Sequence, residues 1–106
     1  MGANNAAELS KVQNFMKDAK ERLSQFSEVL KDKMITRVQE YTPVQTGRLL
    51  NGWEGTVDAS GITIFNNVPY AVFVEYGTVH MAPRGMMGRM ILDAPQLAAD
   101  ALNEVK

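Results

Sequence analysis

His80 is the only histidine in the chain, and it is the residue a proton relay or an activated nucleophile would need. No serine, threonine or carboxylate stands in a nucleophile motif around it, so a hydrolytic site would rest on His80 alone. Glu75 precedes His80 by five residues across Gly77, and the pair could share a metal. Two ligands without a third nearby make no coordination set. Glu54 and Asp58, four apart at a hairpin entrance, have no implied apolar pocket to separate their acidities and read as solvated surface. Cysteine is absent, which removes disulfides, thiolate catalysis and thiolate zinc sites together. These residue types predict no enzyme, no metal and no cofactor.

Charge narrows the partners further. Eleven Lys plus Arg stand against twelve Asp plus Glu in 106 residues, a net charge of −1, so whole-molecule attraction to nucleic acid or an anionic membrane is not expected. Residues 1–41 carry seven bases and six acids, and the remainder four bases and six acids, so neither half is a basic arm. No base lies between Arg48 and Arg84, the span that holds Trp53, Phe65, Tyr70, Phe73 and Tyr76. Stacking platforms there would lack the charges that track phosphates. The longest nearly apolar stretch, Val68 to Val74, is far short of the roughly 20 residues a spanning helix requires. A soluble chain without a readable targeting signal is the expectation.

Protein contact remains. Tyr70, Tyr76, Arg84 and the methionines Met81, Met86 and Met87 are residue types enriched at interfaces, set among Gly and Pro in a segment a partner could order. Phe73 and Trp53 are assigned to the core. Tyr76 and Arg84 serve either packing or contact, and the loop methionines are assigned to an interface.

The elements that would position these residues are readable from periodicity. From Ala6 to Tyr41 there is no Gly or Pro, and Leu9, Val12, Met16, Ala19, Leu23, Phe26 and Leu30 step by three and four, a helical seam. The rhythm slips afterwards to Met34, Val38 and Tyr41, where a coiled coil would stutter. A helix of about 35 residues is about 50 Å long, against a radius of gyration near 13 Å for a domain of this size. It must therefore overhang, bend near Lys31 to Met34, or pack on another chain, and Phe15 and Val29 widen the stripe beyond what one neighbour covers. Thr42-Pro43 ends it. Trp53 to Val57 and Ile62 to Asn66 alternate as two strands joined by Asp58-Ala59-Ser60-Gly61, with Gly61 left-handed. Proline at the entry and glycine just past the exit favour a short helix within residues 68–78, with an edge strand as the alternative. Residues 81–90 should be irregular, and a last helix of about three turns should start at a capping Asp93 and bury Leu97, Ala101 and Val105. The expectation is one α+β domain: a long helix over 6–41, a small antiparallel sheet with a short helix and a Met-rich loop over 42–92, and a closing helix over 93–106.

Three segments then carry a resemblance. Thr42-Pro43-Val44-Gln45-Thr46-Gly47-Arg48-Leu49, Tyr70-Ala71-Val72-Phe73-Val74-Glu75-Tyr76-Gly77-Thr78 and Met81-Ala82-Pro83-Arg84 resemble, in order and spacing, the signatures of the phage head-tail joining or tail-completion proteins. These are the gene product ten type of HK97-like long-tailed phages, also labelled neck or minor capsid components. The resemblance covers nearly the whole chain, most tightly residues 42–84. Gln45 replaces the family's usual aspartate, Val72 an often-found proline, and Gly85, Met86 and Met87 a common proline and bulky apolar pair. The first change implies a weaker turn and the last a looser loop.

The resemblance implies a non-enzymatic virion protein, assembled in the host bacterial cytoplasm. It would act as a ring of six or twelve copies that joins the head connector or adaptor proteins to the tail tube or tail terminator protein. It places the contacts at Thr46, Gly47, Tyr70, Glu75, Tyr76, Gly77, Thr78, Met81, Pro83, Arg84, Met86 and Met87. Two other readings stand beside it: a coiled-coil adaptor in which only residues 6–41 matter, and a small hydrolase using His80.

Overall fold

The computed structural model describes residues 2–44, 47–79 and 81–105, with side chains from residue 8 onward. The order is α1 (Gly2–Glu40), α2 (Arg48–Asn51), β1 (Trp53–Asp58), β2 (Gly61–Asn66), α3 (Ala71–Tyr76) and α4 (Met86–Glu104). The class is α+β, with a long first helix, a two-stranded antiparallel hairpin, a short helix and a closing helix.

The bend near Lys31 to Met34 is absent, and α1 overhangs the body of its own chain. The helix runs unbroken through residues 31–34, and the molecule measures 73 × 24 × 20 Å. Residues 8–25 are exposed on every side, and burial against the body begins at Phe26. After it Val38 is completely buried, and Leu30, Met34, Ile35 and Tyr41 pack around the core, whereas Leu9, Val12, Met16 and Leu23 before it stay exposed.

The stop at Thr42 is also a core contact. Its hydroxyl donates to the Val38 carbonyl at 2.6 Å and accepts the Trp53 indole N–H at 2.8 Å, which fastens the helix end to β1. Gly47, at φ 72°, starts α2. The strands pair Trp53 with Asn66, Gly55 with Ile64 and Val57 with Ile62, and this face meets α1. Gly55 lets the two elements close up, since a Cβ there would stand 2.8 Å from Lys31 Cγ and 2.9 Å from Ile64 Cδ1. The turn is tighter than the four residues expected, because Asp58 and Gly61 themselves pair. The Asp58 carboxylate accepts from the Ser60 hydroxyl and from the Ser60 and Gly61 amides, and these bonds, the hydroxyl's first, hold its pKa below the usual value.

The largest departure is at α4. Residues 86–92 are helical rather than irregular, and α4 spans 19 residues instead of about three turns. The missed start signal is non-local: Gly85 takes φ 60°, and the Glu75 carboxylate accepts the Met87 and Gly88 amides at 2.7 and 3.1 Å. A carboxylate at a helix N-terminus satisfies orphan donors and meets the positive end of the macrodipole. Helix formation puts Met86, Met90, Leu97 and Ala101 on one face, all buried. Burying each methionine is worth about 1.5–3 kcal/mol. Asp93 lies inside α4, where it joins Arg37 at 2.9 Å and the Tyr41 hydroxyl instead of capping. Those bonds, Tyr41's first and Arg37's second, lower its pKa. Lys33 reaches Glu104 at 2.8 Å, a second tie between α1 and α4. Pro95 interrupts the α4 ladder at Ile91, where both residues are exposed and solvent can take the lost donor's place.

Candidate interaction surfaces

The three sequence segments converge. Pro43, Arg48 and Leu49 from the first, Tyr70 and Val74 from the second, and Met81 and Arg84 from the third line one groove of about 410 Å³. Leu49 is buried at its floor, and the Arg48 guanidinium lies 5.7 Å from the centre of the Tyr70 ring. Such stacking accompanies a half-buried Tyr70 that lines the groove. Arg84 and Met81 are exposed at the rim. Two guanidiniums and no carboxylate line the groove.

Backbone pairing fixes the rim. The Thr78 amide donates to the Met81 carbonyl at 2.8 Å, the Arg84 amide to Val74 at 2.9 Å and the Gly85 amide to Glu75 at 3.1 Å. Arg84 and Gly85 are thus tied to the end of α3, and Thr78 to Met81, although these residues form no long element. Gly77 makes this possible. It has φ 78°, and a Cβ would stand 2.7 Å from both the Met81 carbonyl oxygen and the Pro83 nitrogen.

The predicted contact residues divide accordingly. Tyr70, Met81 and Arg84 meet at the groove, while Tyr76, Thr78 and Pro83 are exposed beside it. Gly47 and Gly77 shape the backbone, and Glu75 caps α4. Met86 is corrected outright, because at 0% exposure in the core it offers no surface, and Met87 is half-buried against the same core. Thr46 and His80 lie outside the described residues.

Phe73 is a correction of the opposite kind. It is 55% exposed, since α3 turns Ala71 and Val74 inward and leaves Val72, Phe73 and Tyr76 outside. Trp53 is in the core as expected. Val44 and Val79 are exposed apolar residues, and Arg48 is a groove residue; none was singled out as a contact. Arg48 stood inside a quoted motif, but its place over Tyr70 needs a contact 22 residues away. Among the described residues no three acidic or histidine side chains gather as a metal site, and no helix is long and apolar enough to cross a membrane.

A second surface lies at the other end of the body. Arg22, Leu23, Phe26, Ala98, Leu102 and Val105 line an apolar cleft of about 440 Å³ where α4 ends against α1, and the exposed stripe of α1 leads away from it.

A protein-family model described as "Bacteriophage HK97-gp10, putative tail-component" matches residues 3–77. The match takes in α1, the first segment and the second segment through Gly77, and it ends before Met81-Ala82-Pro83-Arg84. No curated protein and no solved structure matches the chain. With more than half of its 106 residues inside that match, the chain belongs to the HK97-gp10-like family of phage tail components.

Proposed function

We propose that this tail component is a structural joining protein of the virion, acting through interfaces and without catalysis. It forms a ring between the head connector or adaptor and the tail tube or terminator. The observation that carries the reading is the groove, where separate segments bring Tyr70, Met81, Arg48 and Arg84 to one exposed site. Two arginines over an apolar floor suit a neighbour presenting acidic and aliphatic side chains, and an interface concentrates its energy in such aromatic and arginine anchors. A head-to-tail contact through such a site closes into a ring when the rotation per subunit divides the circle.

Arg84→Ala tests this. The side chain is exposed and, among the described residues, Arg84 is held through its backbone amide, so the variant should keep its thermal midpoint. Phage carrying it should accumulate heads and tails that are complete but unjoined, counted by electron microscopy. Normal joining by a folded Arg84→Ala protein would remove the groove from the mechanism.

A further inference from the structure

The overhang of α1 is longer than any surface its own body offers, and its stripe is apolar on one side. Leu9, Val12, Phe15, Met16 and Leu23 are 53–73% exposed. With about 150–200 Å² per large side chain, they present roughly 500 Å² of apolar surface per copy. Water-exposed patches of this size mark contact sites.

We infer that the overhang pairs with the overhang of a second copy, antiparallel, across a two-fold axis beside Phe15. Several observations select this occupant and this direction. Two copies remove roughly 1,000 Å² from water, the threshold for a specific interface, with no other partner needed. A parallel pair is obstructed, because the seam that would continue it past Phe26 is already occupied by α4 and the core. An antiparallel pair keeps the bodies at opposite ends.

The seam then fixes the register. Setting Leu9 against Ala19 and Val12 against Met16 of the second copy brings each helix to its start beside Phe26 of the other, at the mouth of the apolar cleft. The flanking positions agree. Phe15, which widens the stripe and is 73% exposed, falls on its own counterpart, a favourable aromatic pair. Glu8 falls beside Arg22 of the second copy, so Arg22 gains a second carboxylate in addition to Asp18 at 3.3 Å. This contact is isologous and independent of the groove, so it stands whether or not the joining ring does. Where both operate, they generate an even-membered assembly of paired rings.

The test uses the full chain. Light scattering between about 1 and 200 µM should show wild-type mass doubling with a midpoint in the micromolar range. Met16→Asp should halve the mass at the top concentration with the circular dichroism of the body unchanged. Because the chain has no cysteine, direction is read from single replacements under mild oxidation. Phe15→Cys should cross-link to its own copy, whereas Leu9→Cys should not, since antiparallel pairing holds the two copies of position 9 about 15 Å apart along the axis. A monomer at all concentrations, an assembly that Met16→Asp leaves intact, or cross-linking through Leu9→Cys in place of Phe15→Cys would each overturn the pairing. Loss of joining in Arg84→Ala with pairing intact would separate the two interfaces.

Discussion

The two halves of α1 are one helix with similar apolar content and opposite fates. Residues 26–40 bury Val38 and pack Leu30, Met34 and Ile35 against α4 and the hairpin, while residues 8–25 are exposed throughout and meet the body only at the cleft edge, through Arg22 and Leu23. Helical periodicity states that a face must be covered and is silent about whose surface covers it. What separates the halves is the supply of neighbours. The hairpin and α4 pack against the second half and leave the first exposed.

The sharpest way to break this contrast is to truncate a methionine in each half. Met90→Ala, opening a cavity in the core that α1 shares with α4, should cost about 2–5 kcal/mol in urea unfolding. Met16→Ala, at a site 57% exposed, should change the stability of the dilute protein by less than about 0.5 kcal/mol while weakening association. Equal costs at both sites would mean that the overhang is packed against its own body.

A smaller effect probes the boundary where α1 ends. Thr42→Val keeps the shape but removes both the bond to Val38 and the acceptor of the Trp53 indole, leaving a buried donor unmet. A loss of about 1–3 kcal/mol is expected, read from the urea midpoint, with Trp53 fluorescence reporting the changed surroundings. No loss would mean that the helix end is held by packing alone.

The smallest expected effect is electrostatic and pH-dependent. Because Tyr41 and Arg37 lower the pKa of Asp93, its stabilising contribution is present above the ordinary carboxylate value near 4 and is lost as pH falls through the lowered one. Asp93→Asn should therefore unfold at lower urea than wild type at pH 7, and the two midpoints should approach each other as pH falls through the lowered pKa of Asp93. A gap that stays constant with pH would assign the effect of the substitution to packing rather than to the charge.

What was legible in the sequence follows the same division. Elements specified by local rules were readable: α1 from its unbroken period, its stop from Thr42-Pro43, the strands from alternation, and α3 from Pro69 and Gly77. Where a distant residue decides, sequence pattern gave the wrong element or depth. The start of α4 depends on Glu75, which reaches across the loop to Met87 and Gly88, so a Gly- and Met-rich run that looks irregular becomes helix and Met86 becomes core. Phe73 looked buried because aromatic residues usually are, but only Ala71 and Val74 of α3 face the body. The groove was legible as three separate motifs. Their convergence was not, since it requires Arg48 to stack on Tyr70 and Arg84 and Gly85 to pair back onto α3.

The contrast within α1 is tested most directly by hydrogen exchange along that helix as a function of protein concentration. In dilute solution the amides of residues 8–25 should exchange rapidly, since an isolated helix of that length is marginal, while residues 34–40 stay protected. Raising the concentration should slow exchange in 8–25 and leave 34–40 unchanged. Uniform protection of the whole helix at the lowest concentration, or rapid exchange of 8–25 at every concentration, would contradict an overhang that a second copy covers.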